Sequence, residues 1–389
     1  MKQNLLIIGP IGNIGGRELE TGFIAKTLGD SFNVDLCSTI HLTPQSQVYD
    51  FITEDQVHPI NQLVYDKSIW FRFLAFLSYI KSSRTTSVMG NIGNSFAKKT
   101  GFKNYALNVI KDAINQNDII LICAQISSAC IEEVVDYTSS KGKPIIFRTS
   151  SEIKKTDIEQ SVWLEKVNLF IHHSVSNAKR LSALNSYNFE IIDQCTFKES
   201  KMLQIEPTSK FTRLLYIGRL SSEKGVLELI QFFKKLKTHL VLDIIGDGIL
   251  LEKLKKETRE LKNINILGFL SQDQIIQELS NNDALIISSF EESGPLVGLE
   301  AMASARLVIS TKVGAMPNRL EGTKNQFWFD IKDIKSFEDI IGYLSRLSRA
   351  EIQDIANSNR ERYLENYTMA NIKNQYKNAI FKLLKTRHI

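Results

Sequence analysis

Short apolar runs alternate with helix-length stretches along the first half of the chain. The runs are continuous rather than alternating, as in strands that are buried on both faces of a parallel sheet. They cover Asn4 to Gly9, Val34 to Cys37, Asp118 to Cys123, Pro144 to Arg148 and Asn168 to His172. Strands separated by helices in this way predict a doubly wound α/β sheet.

The alternation loosens between about Tyr187 and Thr212 and then restarts. Pro207-Thr208-Ser209 lies in this interval and is typical of a linker. The second set of predicted strands comprises Leu214 to Ile217, Leu240 to Ile245, Ile264 to Leu267, Ala284 to Ser288 and Leu307 to Ser310. A second doubly wound domain is the simplest account. Two such domains facing each other would place a ligand site in the cleft between the carboxyl ends of their strands.

Three helices are predicted to end the chain, over Ile334 to Leu347, Ala350 to Asn366 and Ala370 to Leu384. The last of them repeats apolar residues at helical spacing, which predicts one buried face. We expect residues 1–205 to form the first domain and residues 206–369 to form the second. A length of 389 residues agrees with two domains of ordinary size.

Composition narrows the class of protein. Apolar residues make up 43% and charged residues 23%, as in a soluble globular protein. The chain enters its first strand directly, and no apolar run approaches the ~20 residues of a membrane-spanning helix, so we expect a cytoplasmic protein. The scattered cysteines Cys37, Cys123, Cys130 and Cys195 predict buried free thiols. A net charge of +5 is too mild to name a partner, and no nucleic acid is expected.

Charge placement is more informative than the total. The segment from Lys67 to Lys111 contains no acidic residue and eight basic ones: Lys67, Arg72, Lys81, Arg84, Lys98, Lys99, Lys103 and Lys111. Within it, Ile69 to Lys81 is aromatic, basic and long enough for a helix. Residues 67–103 would then contact an anionic membrane surface or the phosphates of a lipid-linked acceptor. Alternatively, this is a core helix whose lysines reach solvent.

The main candidate for chemistry is the run Ser288 to Ala303. Ser293-Gly294-Pro295 predicts a helix that begins near Pro295, because proline suits the first helical turn. The start of that helix would point its free N–H groups toward Glu292 and would suit a phosphate. Glu300 follows about one and a half turns later. Its neighbours are mostly apolar, so its carboxylate either needs a partner such as a ligand hydroxyl or faces solvent.

Two basic residues accompany the start of the second domain. Arg219 follows a predicted strand directly, and Lys224 stands just before a helix. A guanidinium and an ammonium together suit a diphosphate and would stabilise charge on a leaving group. Such residues are more often solvated surface, but an anion-binding helix start expected in the same cleft favours a phosphate site.

The first predicted strand ends in a glycine-rich turn, Gly9-Pro10-Ile11-Gly12-Asn13-Ile14-Gly15-Gly16. Glycines allow a backbone to approach a ligand closely. The spacing differs from the dinucleotide-binding GxGxxG, and Asp35 lies inside the second strand rather than at its end, which disfavours a nicotinamide cofactor. No cofactor is expected.

Several short motifs follow one another between about Thr212 and Asn366. They are Gly218-Arg219-Leu220 with Lys224-Gly225, Ile245-Gly246-Asp247-Gly248, Leu267-Gly268-Phe269-Leu270, Glu292 and Glu300 with seven residues between them, Ala301-Met302-Ala303, and Val313-Gly314. With these motifs, the second half of the chain resembles the retaining family-four glycosyltransferases of GT-B fold, also called glycosyl transferases group 1. The first half is similar only in its strand pattern and glycine turn.

The resemblance implies two doubly wound Rossmann-like domains, with the C-terminal helix 370–389 crossing back to the first of them. It also implies a hexosyltransferase that moves a sugar from a nucleotide diphosphate sugar to a hydroxyl, without a metal. The acceptor would be a glycan or a lipid-linked acceptor, as in bacterial surface polysaccharide assembly. Its implied site residues are Arg219 and Lys224 at the diphosphate, Glu300 at the ribose, Glu292 at the sugar, Gly294, Pro295 and Leu296 at sugar and phosphate, and Gly15 and Gly16 approaching from the first domain.

Two departures from the family leave alternatives open. The family usually has Glu-Gly-Phe-Gly where this chain has Glu292-Ser293-Gly294-Pro295. Many members also carry a histidine where this chain has Ser150, so either Arg148 replaces its contact or catalysis is weakened. A GT-B-fold sugar-nucleotide epimerase and a catalytically weak nucleotide-sugar-binding scaffold are the alternative functions. His172 and His173 are expected to serve packing or the acceptor side.

Overall fold

A computed structural model of the protein describes residues 2–81, 87–159, 161–183, 185–236 and 238–387. These residues form two compact units. Unit 1 is drawn from Met1–His172, Ala178–Ile192 and Lys373–Ile389, and unit 2 from His173–Asn177 and Asp193–Ile372. Arg84 lies outside the described residues. The predicted division into a first domain of residues 1–205 with helix 370–389 and a second of residues 206–369 stays a prediction.

Within its described residues, unit 1 holds a seven-stranded parallel sheet of strand order β3-β2-β1-β4-β5-β6-β7. The strands are β1 (Asn4–Gly9), β2 (Asn33–Ser38), β3 (Val57–Pro59), β4 (Ile119–Ala124), β5 (Ile145–Thr149), β6 (Leu169–His172) and β7 (Phe189–Ile191). The five predicted strands are present within one or two residues at each end. The outer strands β3 and β7 were not predicted, because three residues are too short to show a pattern.

Helices of unit 1 cover this sheet. They are α1 (Gly16–Gly29), α2 (Ile60–Lys67), α3 (Ile69–Lys81), α4 (Ser95–Lys99), α5 (Phe102–Gln116), α6 (Ile131–Ser140), α7 (Lys155–Glu159) and α8 (Val175–Leu181), whose first three residues belong to unit 2. Single 3₁₀ turns occupy Gln47–Asp50, Glu54–Gln56, Met89–Asn91 and Val162–Lys166. The central strands are fully buried, as continuous apolar runs predict.

In the described part of unit 2, six parallel strands form a sheet of order β10-β9-β8-β11-β12-β13. They are β8 (Arg213–Ile217), β9 (Val241–Ile245), β10 (Ile264–Gly268), β11 (Ala284–Ile287), β12 (Leu307–Ser310) and β13 (Phe327–Trp328). β8 and β11 are hydrogen-bonded neighbours, with Tyr216 opposite Ile286. Because parallel strands end at the same edge of a sheet, the loops that follow β8 and β11 emerge side by side.

The helices of unit 2 complete the fold. They are α9 (Glu199–Leu203), α10 (Val226–Lys235), α11 (Leu251–Thr258), α12 (Gln272–Asn281), α13 (Leu296–Ala303), α14 (Met316–Arg319), α15 (Ile334–Leu344) and α16 (Arg349–Asn366). A 3₁₀ turn occupies Ser222–Lys224. Thr208, in the predicted linker, is buried and donates its hydroxyl to Asp283 at 2.9 Å. This segment is packed structure of unit 2 rather than a linker.

The last helix, α17 (Met369–Arg387), belongs to unit 1 from Lys373 onward. Its apolar repeat is buried, as predicted: Ile372, Tyr376, Ile380, Leu383 and Leu384. Lys373 and Lys377 both pair with Asp30 at 2.8 Å, and together they lower the pKa of that carboxyl to about 2.

Candidate functional site

The loop between β11 and α13 turns at Pro295, which caps the helix with φ −64° and ψ 113°. α13 therefore begins at Leu296, one residue after the predicted start. Most of the helix is buried, including Leu299 and Met302, as its apolar sequence predicts. Because the first N–H groups of a helix have no carbonyl partner inside it, this end carries partial positive charge.

The loops after β8 and β11 are held together by backbone contacts. Ser288 Oγ donates to the carbonyl of Lys224 at 2.9 Å, and the Phe290 N–H donates to the carbonyl of Glu223 at 2.9 Å. Gly225 adopts φ +63°, and a Cβ there would lie 2.0 Å from the Ser288 carbonyl oxygen. Only glycine permits this approach, so the sequence Lys224-Gly225 fixes the distance between the loops.

Two of the predicted site residues meet at this junction. Lys224 Nζ forms an ion pair with Glu292 Oε1, and Ser289 Oγ lies 3.3 Å from the same oxygen. Both charged side chains are about one-fifth exposed. Burial, with the charges of Glu292 and Glu223, raises the pKa of the Tyr216 hydroxyl well above its ordinary value. That hydroxyl is therefore neutral and donates to the Arg219 carbonyl at 3.2 Å.

Arg219 lies in the loop that follows β8, with its side chain exposed. Its guanidinium has no hydrogen-bond or ion-pair partner among the described residues. Its charge helps to lower the pKa of Glu223, for which the hydrogen bond from Ser221 is the larger cause. The guanidinium is thus available to an anionic ligand, whereas the Lys224 ammonium is already paired.

Glu300 lies in the second turn of α13 and is half-buried. Burial raises the pKa of its carboxyl from 4.5 to about 7. Among the described residues, none forms a hydrogen bond or ion pair with this carboxylate. A half-buried carboxylate without a partner costs stability, and ligand hydroxyls would satisfy it. A binding role for Glu300 toward ligand hydroxyls stays a prediction.

The raised pKa makes a test of Glu300 possible. The folded protein holds the proton more tightly than the unfolded chain, so Glu300 costs stability as pH rises from 4.5 through about 7. Glu300→Gln should therefore stabilise unit 2 by about 2 kcal/mol at pH 8 and by almost nothing at pH 4. Thermal unfolding at both pH values measures this. Exposed Glu361→Gln is the control, and an equal gain at pH 4 would contradict a titrating Glu300.

A buried ion pair supports the Pro295 turn from behind. Arg319 is fully buried, and its Nε and Nη2 donate to the two carboxylate oxygens of Asp193 at 2.9 and 2.6 Å. Its Nη1 donates to the Pro295 carbonyl at 2.5 Å. Gly314 adopts φ +51°, and a Cβ there would lie 2.4 Å from the Ser293 carbonyl oxygen, so only glycine fits at this position. Arg319 and Gly314 together fix the Ser-Gly-Pro turn that departs from the family pattern.

Sequence reasoning missed Arg319 and Asp193. They lie 126 residues apart, and each reads locally as an ordinary surface charge. Met316 and Leu320 are apolar residues close to Arg319 in the sequence, but such neighbours do not distinguish a buried guanidinium from a solvated one. Only tertiary pairing identifies their role.

The predicted residues of unit 1 form a separate group. Gly15 precedes α1, and its N–H donates to Gln47 Oε1 at 2.8 Å. Gly16 is the first residue of α1. The Gly12 N–H donates to Glu18 Oε1 at 2.8 Å, so side chains of unit 1 already occupy part of this turn. Approach of Gly15 and Gly16 to a donor phosphate stays a prediction.

Arg148 does not fit the role of a replacement for the family histidine. It is buried, its Nε donates to Glu20 Oε1 at 2.9 Å, and its Nη1 donates to the Ile192 carbonyl at 2.6 Å. The ring of Tyr376 covers its guanidinium at 5.7 Å. These contacts make Arg148 a structural residue of unit 1. Ser150 Oγ is buried and has no hydrogen-bond partner among the described residues.

The two histidines lie at the end of β6. His172 is fully buried, stacks on Phe170 with ring centroids 5.9 Å apart, and has Nδ1 3.0 Å from Thr149 Oγ1. These contacts favour the packing role for His172. His173 is also buried, and its Cβ lies against the Gly294 turn.

The segment of unit 2 that contains this site matches a known protein family. Residues 198–362 match the family Glycosyl transferases group 1. The match spans β8 to β13 and includes Arg219, Lys224, Glu292, Glu300 and Arg319. This part of unit 2 matches a group 1 glycosyltransferase domain. The resemblance inferred from the sequence motifs is confirmed.

Named relatives of the group 1 domain act on different substrates. Over 189 residues the chain is 29% identical to the lipopolysaccharide 1,2-N-acetylglucosaminetransferase of Salmonella typhimurium, which covers 44% of this chain and 49% of that protein. It is 25% identical over 284 residues to the N-acetyl-alpha-D-glucosaminyl L-malate synthase of Bacillus anthracis, covering 68% and 72%. The chain thus spans about half the length of the first of these relatives.

Similarity to solved structures extends over both units. The Anabaena protein HepE, in complex with UDP and glucose, superposes with a TM-score of 0.69 at 14% identity, over 97% of this chain and 99% of that one. At this identity the likeness shows the fold alone. The predicted α/β class with two Rossmann-like parallel sheets, matching GT-B glycosyltransferase structures, is confirmed.

Proposed function

We propose that the protein is a retaining glycosyltransferase that moves a sugar from a nucleotide diphosphate sugar to a hydroxyl of a glycan or lipid-linked acceptor. The observation that carries this proposal is the Lys224–Glu292 pair beside the start of α13, with the Glu300 carboxylate, which has no partner among the described residues, in the second turn. One donor molecule carries the complementary groups for all of these: phosphates, sugar hydroxyls and ribose hydroxyls.

The diphosphate would bind between Arg219, Lys224 and the positive end of α13. A guanidinium donates two parallel hydrogen bonds to phosphate oxygens, and the lysine adds a compact charge. Negative charge grows on the nucleotide diphosphate as the bond to the sugar breaks, so the same groups stabilise the transition state more than the bound donor. This supply of positive charge supports transfer without a divalent metal, and EDTA should leave the rate unchanged.

The two carboxylates would take different parts of the donor. Glu300 would accept hydrogen bonds from the ribose hydroxyls, which supply the partners that its half-buried carboxylate lacks. Glu292 is held by Lys224 in the ligand-free protein. Diphosphate binding gives Lys224 a second anion, so Glu292 becomes available to a hydroxyl of the sugar. Retention of anomeric configuration rests on the family resemblance.

Related proteins suggest the first donors to test. The HepE structure contains UDP and glucose, and the Salmonella relative is an N-acetylglucosaminetransferase of lipopolysaccharide. We therefore propose UDP-glucose and UDP-N-acetylglucosamine as first candidates, and surface polysaccharide or lipopolysaccharide as the source of acceptors.

Thermal stabilisation by a panel of UDP-, GDP- and ADP-sugars tests donor binding. A true donor at ~100 times its dissociation constant should stabilise the protein by about 2.7 kcal/mol, and Glu300→Ala should reduce this shift while Glu361→Ala leaves it unchanged. Release of free nucleotide that depends on a cell-derived glycolipid acceptor then tests transfer. Conversion of the donor into an epimeric nucleotide sugar without any acceptor would favour the epimerase. Binding with neither conversion nor release of nucleotide would favour the scaffold.

A further inference from the structure

Unit 1 exposes an apolar stripe along α3. Ile69 is 82% exposed, and five further side chains are each about half exposed: Trp70, Phe73, Phe76, Leu77 and Ile80. Their spacing of three, four and seven residues places them on one side of the helix. We call these six residues the α3 stripe.

The opposite side of α3 explains why the helix stays in place. Phe71, Leu74 and Ala75 are buried in the core of unit 1, and Phe71 packs edge-on against Phe102 with ring centroids 5.4 Å apart. α3 is therefore apolar on both sides, with one side used by the core. Neither of the two sequence interpretations alone describes it, because the helix is a core helix and also presents an unpartnered apolar face.

The adjacent helix α4 also exposes aromatic and basic side chains. Asn94, which caps α4, donates from Nδ2 to the Leu74 carbonyl of α3 at 3.2 Å. Phe96 on α4 is 59% exposed, and Lys98 and Lys99 follow it with exposed side chains. Aromatic and basic groups thus accompany the stripe on a helix tied directly to α3.

The charges around the α3 stripe favour an anionic partner. No acidic residue occurs between Lys67 and Lys111. Lys67 and Lys103 are paired with Asp112 and Glu133 at 3.0 Å, and Arg72 is tied to the Tyr65 carbonyl. For Lys81, Lys98 and Lys99, in contrast, the described residues provide no ion-pair partner. Lys111 lies over the Tyr137 ring, 5.3 Å from its centroid, so Lys81, Lys98 and Lys99 are the described charges left for an external surface.

We propose that the α3 stripe, with Phe96, Lys81, Lys98 and Lys99, docks the protein on the surface of an anionic lipid bilayer. A row of six exposed apolar side chains on one side of a helix is typical of an interaction site. A helix with Trp and Phe on one face lies in the interface with its apolar side chains among the acyl chains, while lysines nearby meet anionic headgroups. A second copy of the chain fits less well, because it would bring like charges together.

No helix in the described part of the chain is both long and apolar enough to cross a membrane. Docking at the surface requires no such helix. The proposal concerns a face of unit 1 and stands independently of the transfer reaction proposed for unit 2.

Vesicle flotation of the full-length protein tests the proposal. The vesicles are phosphatidylcholine alone or phosphatidylcholine with about one-third phosphatidylglycerol, at ~0.15 M and at ~1 M salt. The wild-type protein should float with the anionic vesicles at the lower salt, and less at the higher salt. Trp70→Gln with Phe73→Gln should reduce partitioning at least about tenfold, and Lys98→Glu with Lys99→Glu should reduce it by a similar factor.

Val162→Gln is the matched control, since Val162 is an 81% exposed apolar residue elsewhere on unit 1 and should not affect flotation. An unchanged thermal unfolding temperature shows that each variant is folded. Flotation that survives Trp70→Gln with Phe73→Gln would overturn the proposal. An absence of wild-type flotation would also overturn it. If light scattering then showed a dimer in the wild-type protein and a monomer in the Trp70→Gln with Phe73→Gln variant, the stripe would be assigned to self-association.

Discussion

Lys224→Ala is expected to reduce the rate of sugar transfer by about a hundredfold to a thousandfold, the usual cost of removing one preorganised group that stabilises a developing negative charge. Lys224 is paired with Glu292 at the start of α13, where the departing diphosphate would gain its charge. Its loss removes a cation from the leaving group and leaves Glu292 as an uncompensated anion in the same place. Steady-state kinetics with the donor identified by thermal stabilisation measure the effect on kcat and on kcat/KM.

A second substitution separates the two consequences of losing Lys224. If the unpaired Glu292 merely repels the diphosphate, Lys224→Ala with Glu292→Gln should restore most of the donor affinity. If Lys224 binds the diphosphate itself, the double variant should stay as weak as the single one, which is the result we expect. Lys234→Ala is the matched control, because Lys234 on α10 forms a comparably exposed ion pair with Glu257 on α11. Donor binding that survives Lys224→Ala intact would remove this residue from the diphosphate site.

Asp193→Ala is expected to destabilise unit 2 by about 3–5 kcal/mol, because it leaves the Arg319 guanidinium buried without its counter-ion. Arg319 is fully buried and makes two hydrogen bonds to Asp193 and one to the Pro295 carbonyl. Hydrogen exchange of peptides from β11 and β12, measured with and without the substitution, reports on unit 2 separately from unit 1. Donor affinity should fall as well, since the Pro295 turn loses its support.

Two comparisons make the Asp193 result specific. Asp273→Ala removes an exposed partner of Lys201 and should change stability by less than about 1 kcal/mol. Asp193→Leu with Arg319→Met removes both charges and should recover much of the lost stability, because no buried charge is left alone. If Asp193→Ala costs no more than Asp273→Ala, the buried pair does not support the turn.

The sequence predicted the parts of the fold that depend on local pattern. Continuous apolar runs such as Ala284 to Ile287 were recognisable because strands buried on both faces admit few polar residues. Ser293-Gly294-Pro295 located the start of α13 to within one residue, since proline fixes φ and supplies no N–H. The short strand β13 escaped detection, because two residues show no period.

The candidate site was predictable in its composition but not in its contacts. Arg219 was identified at a strand end, and Lys224 and Glu292 were identified just before helix starts. The order of β8 beside β11 explains why two of these residues meet. Arg148 was an equally reasonable candidate by position, yet Glu20, 128 residues away, holds it in the core of unit 1. A position at a strand end does not show whether a side chain is available to a ligand or is held in the protein core.

By itself the sequence determined the two parallel sheets, the helix start at Pro295 and the residue types available for a nucleotide diphosphate sugar. These depend on periodicity and on backbone preferences, which act over a few residues. The tertiary structure alone decided that Lys224 pairs with Glu292, that Arg319 is buried on Asp193, that Glu300 lacks a partner among the described residues, and that α3 exposes a second apolar face. Such pairings join residues far apart in the chain, and burial depends on every element packed around a side chain, so no local pattern contains them.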